Sequence, residues 1–289
     1  MAMSHHHDST HIDWDEHAQL LEQGAELQSP MYRQTADWLR ELVPAGAVRR
    51  VLDIGSGPGV ITGLLAEAFP YAEVVAVDAA GPLLERAQAR AARNGQADRV
   101  RTHRAELPDG IEDLGEADLV WAAGSVHHLG DQRAALGALA RLVRPGGLVA
   151  VLEGGLPARH LPRDFGIGRP GLESRVGAAV DEWFARMRSE LPGAKDEVED
   201  WRALLAASGL TPSGTRSFLL DIPAPVPAAV RAQLLSAFAW QRRLVEGLLP
   251  DEDIAVLDRL LDPEDPEGLL RRSDAYMLSA RTVFTARRD

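Results

Sequence analysis

No cysteine occurs in the 289 residues. Its absence removes disulfides, thiolate metal sites and cysteine nucleophiles together, and it leaves the redox compartment open. An apolar run near the roughly 18 residues of a membrane span is also missing, as is a basic-then-apolar leader, so the chain reads as cytoplasmic with no membrane partner. Lysine is almost absent: of 31 basic residues only Lys195 is a lysine, which codon bias explains without invoking function. Acidic residues number 43, giving a net charge of −12. A surface of that sign repels phosphate backbones at long range and argues against nucleic acid as a partner. Aromatic residues make up only 5% of the chain, but 45% of it is hydrophobic, enough for a sizeable core.

The segments that are present fall into an order. Residues 1–12 read as a disordered polar tail, and His5, His6, His7, His11 and His17 crowd the start of the chain. Residues 13–45 read as an N-terminal helical cap, with Ser29-Pro30 as a helix start, Ser29 its cap and Pro30 in its first turn. Short apolar runs then alternate with helical patterns: strands near 49–54, 73–78, 100–107, 117–123 and 148–152, and helices near 60–69, 81–94 and 131–143. That alternation predicts βαβ units and a doubly wound, mostly parallel α/β sheet. Residues 46–155 form the expected core. Residues 154–171 are rich in glycine and proline and read as a loop, opening a lid insertion over 156–195. Residues 196–289 complete the core, with a helical insertion at 223–262 and a last strand near 281–286.

The densest chemical signal is Val51-Leu52-Asp53-Ile54-Gly55-Ser56-Gly57-Pro58-Gly59. Glycines between a strand and a helix permit a tight turn and let a ligand lie against backbone. The third glycine comes one residue too early for a dinucleotide fingerprint, and Asp53 sits where a pyrophosphate would be repelled and an ammonium welcomed. Asp78, nineteen residues past Gly59, ends the second strand, where a carboxylate can accept ribose hydroxyls.

This segment resembles the glycine-rich motif of class I S-adenosylmethionine-dependent methyltransferases, in the bacterial small-molecule group similar to ubiquinone-biosynthesis enzymes. The resemblance spans about Arg50 to Glu153, roughly a third of the chain. It implies a seven-stranded sheet of order 3-2-1-4-5-7-6 with the last strand antiparallel, and S-adenosyl-L-methionine as cofactor. By resemblance, Asp53, Gly55, Ser56 and Gly57 line the methionine end of the cofactor, Asp78 the ribose, and Ala79 the adenine. Ala105-Glu106-Leu107-Pro108 resembles the stretch after the third strand, but Arg104 stands where the family carries an acid, so Glu106 or backbone atoms take the adenine contact. Gly124-Ser125-Val126-His127-His128-Leu129 resembles the segment after the fourth strand. Tyr32 and Arg33 correspond to residues that close over the methionine carboxylate.

Catalytic demands on the protein are small, because the cofactor brings the electrophile and alignment is the main task. His127 and His128, at the carboxyl end of a central strand, are the candidates for general base, against a packing role. Arg159, His160, Trp183 and Trp240 are candidate substrate contacts, against a solvated loop and ordinary core. No metal site is expected. The leading function is methyl transfer to O, N or C of a small molecule by a monomer or homodimer, with secondary metabolism one setting. The alternatives are a non-catalytic S-adenosylmethionine-binding protein or partner subunit of the same fold, and an oxidoreductase with a degraded dinucleotide motif.

Overall fold

The computed structural model describes residues 14–44 and 46–289. The tail of residues 1–12, with His5, His6, His7 and His11, lies outside them. Among the described residues no helix is long and apolar enough to cross a membrane.

Seven strands form one sheet: β1 (Arg50–Ile54), β2 (Glu73–Asp78), β3 (Val100–Arg104), β4 (Ala117–Ala123), β5 (Val143–Arg159), β6 (Thr211–Ile222) and β7 (Met277–Arg287). Their order is β3-β2-β1-β4-β5-β7-β6, as the resemblance implies. β1 to β5 pair in parallel, and β7 runs antiparallel to both β5 and β6. The helices are α1 (Trp14–Leu27), α2 (Ser29–Leu42), α3 (Val60–Ala68), α4 (Gly81–Arg93), α5 (Gln132–Leu142), α6 (Leu172–Ser189), α7 (Trp201–Ala207), α8 (Ala228–Leu244) and α9 (Asp251–Leu261).

The central strands are buried on both faces, so they read as continuous apolar runs rather than alternating ones. Alternation assigns their side chains to two cores. Val51, Val74, Leu119, Trp121 and Val283 join residues of α2, α3, α6, α8 and α9 on one face. Leu52, Val75, Val120 and Val151 join α5 and α7 on the other. Asp53, two residues past Val51, therefore lies on the face covered by α2 and α3.

Several local readings change: β3 stops at Arg104 rather than near 107, and β5 begins at Val143 rather than near 148. β5 does not stop at Leu152 but runs to Arg159, because β7 reaches past the core and supplies partners as far as Leu278. Residues 154–159, expected as loop, are strand. The stretch 223–262 is two helices, broken at the Gly247–Pro250 corner where Gly247 takes φ +74°. α2 begins at Ser29 itself, with Gln28 in the cap position and no side-chain cap bond.

Candidate active site

The turn after β1 is built by backbone. Val77 O accepts the N–H of Gly55 at 2.8 Å and of Ser56 at 3.0 Å. Asp78 accepts the N–H of Gly57 at 2.9 Å through Oδ2 and of Ala80 at 2.9 Å through Oδ1. The carboxylate thus pins two loops, and each oxygen keeps a lone pair for a ligand hydroxyl. Gly57 and Gly59 both hold positive φ, +53° and +78°, for different reasons. A Cβ on Gly59 would lie 2.6 Å from Ala87 Cβ on α4, whereas one on Gly57 would meet nothing within 4 Å. Gly59 closes helix packing; Gly57 faces open space.

Asp53 is buried and accepts a hydrogen bond from Thr62 Oγ1 at 2.6 Å. Burial is the main force pushing its carboxyl up, to about 7; the Thr62 bond opposes this and nearby Asp78 adds to it. A cation delivered here would relieve that cost. Among the described residues, buried Ser56 Oγ, Ser125 Oγ and Trp121 Nε1 have no hydrogen-bond partner, so donors and acceptors remain unspent around the loop.

A cleft of about 190 Å³ opens at the ends of β1, β2 and β4, lined by Gly55, Asp78, Ala79, Ala105, Glu106 and Ser125 among others. Five of the residues assigned to the cofactor by resemblance line it. Gly57 and Ser56 belong to the turn that closes it, and Gly124, at φ +59°, begins the turn after β4. Arg104, the departure from the family pattern, donates from Nε to Ala79 O at 2.9 Å and so braces the loop after β2 from outside. A cleft with open backbone at Gly57, a buried carboxylate and a ribose-ready Asp78 fits S-adenosylmethionine.

At the end of β4 a short 3-10 turn (Val126–His128) presents the two histidines. Glu153, 2% exposed, accepts Val126 N–H at 3.0 Å through Oε1 and meets His127 Nδ1 at 2.6 Å through Oε2. A carboxylate on Nδ1 holds that nitrogen as donor and leaves Nε2 as acceptor. His128 is exposed, its ring 4.0 Å from that of His127. Phe184 of α6 lies 5.6 Å from His127 and 6.4 Å from His128. Arg188, also on α6, donates to His127 O at 2.6 Å and Leu129 O at 3.2 Å. Beyond α6, Lys195 N–H bonds Gly130 O at 3.0 Å, and a Cβ on Gly130 would sit 2.3 Å from Pro192 O.

The remaining expected contacts are spread over several places. Tyr32 is half-buried; desolvation raises its phenol, Arg281 opposes that rise and Asp53 adds to it, so it stands near both. Arg33 turns outward onto Glu67 at 2.6 Å. Arg159 lines a separate pocket of about 270 Å³ with Arg163, Ser174 and Tyr276. His160 is buried against Phe238, its Nδ1 on Glu173 Oε1 at 3.0 Å. Trp183 and Trp240 meet edge to face at 6.2 Å on the helical additions. Sequence reasoning did not find the Glu153–His127 pair, although strand-end placement of both residues was the available signal. It also missed Phe184's contact with both histidines, Arg188 and Arg281.

Comparison with known proteins agrees with this geometry. A family model described as "Methyltransferase domain" matches residues 51–147. Two proteins named trans-aconitate 2-methyltransferase align over most of the chain. The one from Methylobacterium nodulans is 31% identical over 85% of this chain and 94% of its own length. That from Methylobacterium radiotolerans is 30% identical over 72% and 82%. An uncharacterized Synechococcus protein, syc1184_c, is 40% identical over 35% of this chain, which spans only 24% of that protein's length.

Proposed function

The chain belongs to the class I S-adenosylmethionine-dependent methyltransferases, and from that premise we propose that it methylates an oxygen or nitrogen of a small molecule, with His127 as the base. The observation that carries this reading is His127 seated on buried Glu153, in the turn between Ser125 and Leu129, two residues that line the glycine-loop cleft. When bound, the cofactor supplies a methyl group on a cationic sulfur. Asp53 would receive its ammonium group, Gly57 would leave bare backbone against it, and Asp78 would accept the ribose hydroxyls. Ala79, Ala105 and Glu106 would hold the adenine, and Tyr32 the methionine end. His127 Nε2 takes the acceptor's proton as the methyl group arrives, and Glu153 steadies the resulting imidazolium. The closer resemblance to ubiquinone-biosynthesis enzymes rests only on the motifs between Arg50 and Glu153, whereas the full-length relatives carry another name.

That name favours a second reading. Trans-aconitate offers carboxylate oxygens, which have no proton to lose; His127 would then orient the acceptor rather than deprotonate it. Methyl-labelled S-adenosylmethionine incubated with a metabolite extract tests the proposal. Labelled product is expected from the wild type and not from Gly57→Val. Binding of S-adenosylhomocysteine without any label transfer would make the chain a non-catalytic binder. His127→Gln should slow turnover about 10²- to 10⁴-fold for a proton-bearing acceptor, with cofactor affinity kept. A near-normal rate would favour the carboxylate reading.

A further inference from the structure

A cavity of about 270 Å³ lies between the end of β5, the segment after it and the start of α6. Arg159, Arg163, Glu173, Ser174 and Tyr276 are in its lining, and it shares no lining residue with the glycine-loop cleft. β5 carries Glu153, the partner of His127, and reaches Arg159 only six residues later. Up to about 20 Å of strand therefore separates this cavity from the candidate base.

Its walls are fixed by their own bonds. Tyr276 N–H donates to His160 O at 2.9 Å and the Tyr276 hydroxyl to Leu161 O at 3.0 Å. Glu173, the one acid in the lining, accepts the N–H groups of buried His160 and Leu161 and meets His160 Nδ1 at 3.0 Å. Both its oxygens are thus committed to the end of β5. The guanidinium groups of Arg159 and Arg163 make no hydrogen bond or ion pair among the described residues. Arginines nearby are spent: Arg169 and Arg175 bind Asp253, and Arg272 binds Glu267 and Asp274. Two unspent cations face one cavity in a chain of net charge −12, and an anion between them would relieve their repulsion. The wall adds neutral donors. The N–H groups of Ser174 and Arg175 return to Gly171 O, whereas those of Leu172 and Glu173, at the head of the 18-residue α6, have no acceptor within the helix.

We propose that this cavity binds a phosphate group, free or as the monoester of a small molecule, at a site separate from the methyl-transfer cleft. One guanidinium fork satisfies the two coplanar oxygens of a carboxylate. Two forks, the Ser174 hydroxyl and the first N–H groups of a helix instead suit the several oxygens and double charge of a phosphate. Bound there, the phosphate would tie the end of β5 to the first turn of α6. The proposal does not depend on the methyl-transfer reading.

Calorimetry on the full chain tests it, at about pH 7.5, where phosphate is mostly a dianion, and at constant ionic strength. The probes are inorganic phosphate, glycerol phosphate and acetate. The wild type is expected to bind at least one of the two phosphates, and acetate far more weakly. Tighter binding of inorganic phosphate would mark a site for the free ion, and tighter binding of glycerol phosphate a site for phosphorylated small molecules. Arg159→Ala combined with Arg163→Ala should weaken phosphate roughly 10- to 100-fold, with the circular dichroism spectrum and S-adenosylhomocysteine affinity unchanged. Arg163→Glu alone, at an exposed position, should weaken it by repulsion and decides the matter if the double variant does not fold. The proposal is wrong if the wild type binds neither phosphate, if the variants bind as well as the wild type, or if acetate binds as tightly. Competition between phosphate and S-adenosylhomocysteine would place the anion in the glycine-loop cleft and also overturn it.

Discussion

The glycine-loop region and the helical additions are held together by different means. Around the glycine loop, backbone amides bond to Val77 O and to Asp78, and Asp53 has one hydroxyl partner. Over the helical additions, cross-links are ionic: buried Asp253 on α9 takes Arg169 from the segment before α6 and Arg175 from α6. Backbone bonding fixes a shape that almost any turn sequence with glycines can adopt, so it reads clearly from sequence. An ion-pair hub joins residues more than 75 positions apart and leaves no local pattern. It also means that the segment 160–175 is tied down by several bonds, despite its glycines and prolines.

The comparison can be broken most sharply at two glycines. Gly59→Val drives a side chain into Ala87 and its backbone, and should cost several kcal/mol of stability, visible as a large fall in Tm or loss of soluble protein. Gly57→Val meets open space and pays mainly for its positive φ, about 1–2 kcal/mol, yet should abolish measurable S-adenosylhomocysteine binding. Equal effects of the two on folding would mean that Gly57 is structural as well.

Asp253→Ala is the matching test of the ionic half. It strips two arginines of their shared buried partner and should cost roughly 3 kcal/mol. Hydrogen exchange should rise in residues 160–175 and stay constant in the glycine loop. An unchanged exchange pattern would mean that packing of Phe165 and Leu172, rather than charge, holds this segment.

A smaller effect should come from pH. The Asp53 carboxyl, raised to about 7, is largely protonated below neutrality, and an ammonium ligand favours the ionised form. S-adenosylhomocysteine affinity should therefore fall up to tenfold per pH unit below about 7, with proton release on binding, and level off above it. The sign for folding is opposite. The folded pKa exceeds the unfolded one, so this group favours the ligand-free fold more as pH drops from 7 toward 4. Asp53→Asn should flatten the binding profile; a profile that keeps its slope would assign the proton to another group.

Much of the core was legible because its signals are local. The apolar run Val51–Ile54, the glycines after it and Asp78 at the end of the next run specify strand, turn and ligand edge within 30 residues. His127 was visible as a strand-end histidine and a candidate base, but its partner was not: Glu153 reaches it only after β5 has been laid beside β4. The extension of β5 to Arg159 was hidden for a similar reason. Gly154, Gly155 and Pro157 signal loop by themselves, and only the partner strand β7 makes them sheet. Tyr32 and Arg33 are adjacent in sequence but part in the fold: Tyr32 is half-buried, whereas Arg33 pairs with Glu67 on the surface.

The bonds from Arg188 to His127 O and Leu129 O, with Pro192 lodged against Gly130, bear on how an acceptor gets in. If residues 156–195 are the lid expected from the sequence and His127 the base proposed above, these bonds couple the doorway to the tool behind it. If α6 swings aside to admit a substrate, the backbone that aims His127 loses its tether in the same stroke. The histidine is then on target only with the door shut, and the site's readiness to react becomes a report on whether something has been enclosed.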